Sequence, residues 1–148
     1  MANLKTILLV DDDPLEADLA IRALRTQHLA NQVVVVEDGE EALDYLHRRG
    51  TYATRVPGNP VLVLLDRNMP RLDGIEVLRE IRATENLKLV PVVMLTSSNE
   101  EKHVLESYDL GIKAYIVKSV DFHYLVQTVK DLSQNWESSN ETPPRVNP

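Results

Sequence analysis

Cysteine is absent from this chain of 148 residues, which excludes disulfide bonds, a thiol nucleophile and a cysteine-based zinc site. Long apolar runs are also absent at the start of the chain. The first run extends only from Ile7 to Val10, too short for a signal peptide or a transmembrane helix. Basic residues are few, with 16 Lys and Arg against 23 Asp and Glu and a formal net charge of −7. This charge disfavours nucleic acids and anionic membranes as partners, and we expect a cytoplasmic protein.

Short apolar segments alternate with segments of helical spacing, which is typical of βα units around a parallel sheet. Hydrophobic residues make up 43% of the chain, enough for one sizeable core. We therefore predict an α/β fold in which helices cover both faces of a five-stranded parallel sheet. The strands are predicted at Ile7 to Val10, Val33 to Val36, Val61 to Leu65, Val92 to Leu95 and Ala114 to Val117.

Five helices are predicted after these strands. The first begins at Asp13-Pro14, with Asp13 as its cap rather than a metal ligand. The residues assigned to its sheet-facing side are Leu15, Leu19, Ala20 and Ala23. The others are predicted from about Asp38 to Gly50, after Gly74, from about Asn99 to Leu110, and after Asp121. We expect residues 1–136 to form one domain and residues 137–148, which are rich in proline, to form a mobile tail.

Polar side chains follow most of the predicted strands directly. Asp11 and Asp12 follow the first, Asp66 the third, Thr96 and Ser97 the fourth, and Lys118 the fifth. Ligands of open parallel sheets bind at the carboxyl ends of the strands, where the strand order reverses. In the order 2-1-3-4-5 the first and third strands are neighbours, so the three aspartates are expected to converge.

Three converging carboxylates repel one another, and a hard divalent cation relieves that repulsion. Mg²⁺ prefers carboxylate, carbonyl and water oxygens and bridges to phosphate. Asp66 can then attack a phosphorus atom as a nucleophile, while the metal ion and Lys118 neutralise the growing negative charge. A hydroxyl hydrogen bond from Thr96 would hold a phosphoryl oxygen.

Four motifs that occur in order resemble the receiver domain of two-component response regulators. They are Ile7 to Pro14, Leu65 to Gly74, Leu95-Thr96-Ser97, and Lys118. The resemblance implies a flavodoxin-like (βα)5 three-layer sandwich with the sheet order 2-1-3-4-5. The long loop with Tyr52 and the segments Ser107 to Gly111 and Val120 to Phe122 further resemble the small regulators that partner bacterial phytochromes, notably in cyanobacteria.

The resemblance also implies a role for individual residues. Asp66 would be the phosphorylated residue, and the Mg²⁺ ligands would be Asp11, Asp12, Asp66 and the backbone carbonyl of Asn68. Among these ligands Asp12 would bind directly and Asp11 mainly through water. Thr96 and Lys118 would stabilise the phosphoryl group, and Thr96 and Tyr115 would form the switch pair. Ser119 stands where the family usually has proline, and Arg67 puts a charge where an apolar residue is common; together with Ser97 they are expected to modulate the site.

The implied function is a phosphoacceptor switch that takes its phosphoryl group from a histidine kinase, of the phytochrome type, and signals through protein contacts. A phosphatase or phosphotransferase is disfavoured because Asn68 stands where such enzymes commonly place a second acid. A nucleotide-binding domain is disfavoured because neither glycine-rich phosphate loop occurs. An adaptor that works without phosphorylation is the third alternative, and the intact acidic pair, Asp66, Thr96 and Lys118 argue against it. We expect a homodimer through the face formed by the fourth helix, fifth strand and fifth helix, where Tyr108, Tyr115, Phe122 and Tyr124 cluster.

Overall fold

The structure is a computed structural model, and it describes residues 5–26, 32–67, 69, 72–96, 106–117 and 125–133. The five strands are β1 (Thr6–Val10), β2 (Gln32–Val36), β3 (Leu62–Asp66), β4 (Val92–Thr96) and β5 (Ala114–Val117). The helices are α1 (Pro14–Thr26), α2 (Gly39–His47) and α3 (Gly74–Ala83), with a 3-10 turn at Gly50–Tyr52. Helical residues 106–109 and 125–133 belong to two further helices, which we call α4 and α5. None of the helices within these ranges is long and apolar enough to cross a membrane.

All five strands run parallel, in the order β2-β1-β3-β4-β5. Every residue of β3 and β4 is buried, as expected for central strands that helices cover on both faces. The predicted flavodoxin-like sandwich and its strand order are confirmed. The predicted strand bounds are close, but Asp66 and Thr96 are the last residues of β3 and β4 rather than the residues after them.

Two hydrophobic cores lie on opposite faces of the sheet. The first packs residues of all five strands against α2 and α3, and Leu65 of β3 contributes to it. The second packs the sheet against α1 and α5, and Leu64 of β3 contributes to that one. Successive side chains of a strand point to opposite faces, so the alternation along β3 divides its residues between the two cores.

The buried face of α1 differs from the prediction. Ala17, Ala20 and Leu24 are buried at helical spacing, whereas Leu15 is 67% exposed and Leu19 is 45% exposed. The assignment of these two leucines to the buried face was therefore wrong. The helix begins at Pro14 in a phase that turns small alanine side chains to the sheet, and at about 100° per residue both leucines then lie on the opposite side.

The end of α2 also differs from the prediction, because the helix ends before Gly50. Arg48 adopts the left-handed conformation, with φ 56°, and its N–H reaches the carbonyls of Asp44 and Tyr45. The Arg48 guanidinium donates to the carbonyl of Arg55 at 3.1 Å, which favours this uncommon backbone geometry. Gly50 instead begins the 3-10 turn, with φ 60°.

The remaining helix predictions are confirmed where the structure covers them. Asp38 caps α2, and α3 begins at Gly74 behind a capping box formed by Asp73 and Glu76. α4 closes at Gly111, with φ 81°. The predicted helix starts near Asn99 and at Asp121, and the division of the chain at residue 137, lie outside the described residues.

Candidate functional site

The register of β1 and β3 places Asp11 beside Asp66 at the carboxyl edge of the sheet. Val10 pairs with Leu65, and the residue that follows each of them is an aspartate. Asp66 is 1% exposed and Asp11 is 4% exposed, whereas Asp12 is exposed. One carboxylate oxygen from each of Asp11, Asp12 and Asp66 lies within 4.8 Å of the others. The predicted convergence of the three aspartates is therefore confirmed.

Local hydrogen bonds hold Asp11 and the start of α1 in place. The N–H of Asp11 donates to the Val36 carbonyl at 3.0 Å. Asp11 Oδ1 accepts from the N–H of Asp13 at 2.9 Å, and Asp13 Oδ1 accepts from the N–H of Leu15 at 2.9 Å. Asp13 is therefore an N-cap, as predicted, and its carboxylate is committed to the helix rather than to the cluster.

Gly74 permits the close approach of α3 to the end of β3. A Cβ atom at this position would lie 2.6 Å from the Asp66 carbonyl oxygen and 2.7 Å from the Arg67 Cα, closer than real contacts allow. The N–H of Gly74 also donates to the Arg67 carbonyl at 3.1 Å. From the sequence, Gly74 was predicted only as a helix start, and this role was missed, although a glycine eight residues after a strand-end aspartate is visible in the sequence.

The structure brings Thr96 and Tyr115 to the same face of the sheet. Met94 of β4 pairs with Tyr115 of β5, and Thr96 pairs with Val117. Because side chains alternate along a strand, Thr96 points to the face that Met94 and Tyr115 share, above the core formed with α2 and α3. Thr96 is fully buried and Tyr115 is partly buried. This arrangement is compatible with the switch pair, which stays a prediction.

The donor set of the acidic cluster suits a hard divalent cation. Carboxylate oxygens are the preferred protein ligands of Mg²⁺, Ca²⁺ and Mn²⁺. Two of the three carboxylates are buried, and low solvent exposure strengthens the repulsion between them. A cation with two positive charges would remove that repulsion, so the described residues can bind a divalent metal ion.

Several predicted site residues fall outside the described ranges: Asn68, Ser97, Lys118 and Ser119. Arg67 is described, and its N–H donates to the Leu95 carbonyl at 2.7 Å. The Nε atom of Arg67 is buried without an acceptor among the described residues. Its predicted influence on the phosphoryl group stays a prediction.

The family model described as the response regulator receiver domain matches residues 7–130 of this chain. The response regulator Rcp1 of Synechocystis sp. is 36% identical over 132 residues, which are 89% of this chain and 88% of Rcp1. The crystal structure of the Mn²⁺-bound form of Rcp1 superposes with a TM-score of 0.76 at 36% identity, covering 89% of this chain and 94% of that one.

Two further solved structures are similar at higher sequence identity. The bacteriophytochrome response regulator RtBRR is 48% identical with a TM-score of 0.79, covering 88% of this chain and 78% of its own. The phosphorylated cyanobacterial phytochrome response regulator RcpA is 41% identical with a TM-score of 0.78, covering 93% of this chain and 96% of its own.

Proposed function

Because this chain belongs to the response regulator receiver domain family, we propose that it accepts a phosphoryl group on Asp66. Members of this family are signalling switches, not typically enzymes that turn over external substrates. One observation carries the proposal. Asp66 is the last residue of β3, and one of its carboxylate oxygens lies within 4.8 Å of a carboxylate oxygen of Asp11 and one of Asp12. A nucleophile and a candidate metal site therefore share one edge of the sheet.

In the proposed reaction, a carboxylate oxygen of Asp66 attacks the phosphorus atom of a phosphohistidine. The phosphorus–nitrogen bond breaks, its electron pair returns to the imidazole ring, and an acyl phosphate forms on Asp66. Mg²⁺ supplies positive charge that offsets the repulsion between the carboxylate and the phosphoryl oxygens. Asp12, Asp66 and the backbone carbonyl of Asn68 would hold it directly, with Asp11 acting mainly through water.

Thr96 and Lys118 complete the proposed phosphoryl site. The Thr96 hydroxyl would donate to a phosphoryl oxygen, and Tyr115 would then move on the face of the sheet that the two residues share. Lys118 would neutralise charge on the phosphoryl group, and Arg67, Ser97 and Ser119 would tune its lifetime. We also propose that residues 1–136 form the receiver domain and residues 137–148 a tail. The proposed location of the protein is the cytoplasm.

A small acyl phosphate with Mg²⁺ tests the proposal without any partner protein. Intact-protein mass spectrometry should show the addition of one phosphoryl group to the wild-type chain. Chelation of the metal ion with EDTA should prevent the addition, because the three carboxylates then repel the donor. A chain that gains no phosphoryl group in the presence of Mg²⁺ would contradict the proposal.

A histidine kinase, of the phytochrome type, is the proposed phosphoryl donor. The names of RtBRR and RcpA link those two proteins to phytochromes, and both are more than 40% identical to this chain. A protein donor must cover the buried Asp66 and the surface next to it. Leu15 and Leu19 project from the first turns of α1 beside this edge, so they provide apolar contact area for the donor.

Replacement of Leu15 and Leu19 by serine should slow phosphotransfer from a cognate kinase by about tenfold or more. Labelling by a small acyl phosphate should be unchanged, because the two substitutions remove contact area for the kinase and leave the phosphorylation site at Asp66 intact. Leu89→Ser is the matched control, since Leu89 is 87% exposed in the connection between α3 and β4 at the far edge of the sheet. Equal rates for the double variant and the control would contradict a donor surface on α1.

The proposed output is self-association through the face of α4, β5 and α5. Tyr108 of α4 is exposed and Tyr115 of β5 is partly buried, so aromatic surface is available on the described part of this face. Phe122 and Tyr124, which were expected to join it, lie outside the described residues. Sedimentation at micromolar concentration, with and without a phosphoryl mimic, measures the assembly; a monomer in both states would contradict the dimer.

A further inference from the structure

Two arginines on α3 connect this helix to α4. Arg79 and Arg82 are three residues apart, so they lie on one side of α3. Arg79 forms an ion pair with the carboxylate of Glu106, at the start of the described part of α4. Arg82 donates to the carbonyls of Leu110 at 2.6 Å and Gly111 at 3.0 Å, where α4 closes. The two ends of residues 106–111 are therefore attached to α3 by different chemistry.

The attachment at Arg82 is extensive. Besides Leu110 and Gly111, its guanidinium donates to the carbonyls of Lys88 at 3.2 Å and Val90 at 2.8 Å. Positive charge near the closing carbonyls of α4 also suits the negative end of the helix dipole. Because desolvation penalises the buried charge, the pKa of Arg82 is lowered from its usual value, and these carbonyls are the partners that compensate. Movement at this end would break several hydrogen bonds at once.

The attachment at Glu106 is weaker. It is a single ion pair between side chains that are 56% exposed for Arg79 and 33% exposed for Glu106, and exposed pairs contribute little to stability. Ser107, the next residue, is fully buried, and its hydroxyl has no hydrogen-bond partner among the residues that the structure describes. A buried hydroxyl without a partner destabilises this position of α4, so a displaced helix that satisfies it would regain free energy.

We propose that the Arg79–Glu106 ion pair is a latch that holds α4 in its unphosphorylated position, and that α4 pivots about the Arg82 attachment when the latch opens. This inference rests on the proposed phosphorylation of Asp66. Leu110, at the pivot, and Tyr115 of β5 pack against the same core, so a shift of Tyr115 is transmitted to α4 through shared contacts. Part of the free energy gained from the contacts of the phosphoryl group must then break the Arg79–Glu106 ion pair before the face of α4, β5 and α5 can move.

The test measures the affinity of trifluoroberyllate, a phosphoryl mimic, for the protein in Mg²⁺ by calorimetry. Arg79→Ala and the isosteric Glu106→Gln should each tighten apparent binding by about two- to fivefold, because the mimic no longer has to break the ion pair. The double variant should match the single ones, since one interaction is lost in all three. Exchange of the two charges, Arg79→Glu with Glu106→Arg, should restore wild-type affinity.

Arg22→Ala is the matched control, because it removes the exposed ion pair with Asp18 on α1 and should leave the affinity unchanged. Ser107→Ala should act in the opposite direction and weaken binding of the mimic, because it removes from the unphosphorylated position of α4 a buried hydroxyl that has no partner in the described part of the chain. A purely structural role for these residues would not produce effects of opposite sign. Wild-type affinity in Arg79→Ala and Glu106→Gln would overturn the latch, whereas failure of the wild-type protein to bind the mimic would overturn the proposed function instead.

Discussion

Replacement of Asp66 by asparagine should abolish phosphorylation by a small acyl phosphate. The amide matches the carboxylate in shape, so the buried end of β3 keeps its packing, but a neutral amide cannot act as the nucleophile. We therefore expect no phosphorylated species in the intact mass spectrum, rather than a partial reduction. Peptide mapping of the labelled wild-type protein should place the phosphoryl group on Asp66.

Asp13→Asn is the control for this experiment. Asp13 lies two residues from Asp11, but its carboxylate caps α1, and asparagine caps helices equally well. This variant should be labelled to the same extent as the wild type. Labelling of Asp66→Asn at the wild-type level would instead assign the phosphoryl group to another carboxylate and contradict the proposed site.

A second readout of Asp66→Asn requires no phosphoryl donor. Without metal ions the three carboxylates repel one another, so removal of one negative charge should raise the midpoint of urea unfolding in EDTA. Saturating Mg²⁺ should stabilise the wild type more than the variant, because the ion binds the folded wild type more tightly. A lower midpoint in EDTA would show that the Asp66 carboxylate stabilises the folded protein by contacts that outweigh this repulsion.

The sheet and the acidic cluster could be predicted from the sequence because both depend on local pattern. Apolar runs that are buried on both faces identify central parallel strands, and polar residues at their ends fall at one edge of the sheet. Asp11 and Asp66 converge because β1 and β3 are neighbours in the observed order. Strand order was the only tertiary information that this prediction needed.

The parts that could not be predicted depend on tertiary contacts. The apolar residues of α1 fit more than one helical phase, and contact with the sheet selects Ala17 and Ala20 over Leu15 and Leu19. The carbonyl partners of Arg82 lie up to 29 residues away, and no local pattern predicts backbone acceptors at that separation. Side-chain donors to distant carbonyls therefore became visible only in the structure.

Replacement of Asp12 by alanine should weaken Mg²⁺ binding more than replacement of Asp11. Asp11 Oδ1 already accepts a hydrogen bond from the N–H of Asp13, and the Asp11 side chain is almost fully buried. The exposed Asp12 carboxylate makes no hydrogen bond or ion pair within the described ranges, so its oxygens are available to a metal ion. We therefore expect Asp12 to bind the metal ion directly and Asp11 to bind it mainly through water.

Calorimetric titration of the wild type and both variants with Mg²⁺ measures the difference. Loss of an outer ligand is expected to cost about tenfold in affinity, and loss of a direct ligand roughly 100-fold or more. Mn²⁺ should give the same ranking, since it takes the same oxygen ligands. In EDTA, where loss of either carboxylate relieves repulsion within the cluster, Asp11→Ala should unfold at a lower urea concentration than Asp12→Ala, because the N–H of Asp13 also loses its acceptor. Equal losses of affinity in the two variants would remove the ranking, and an unchanged affinity in both would place the metal ion away from this cluster.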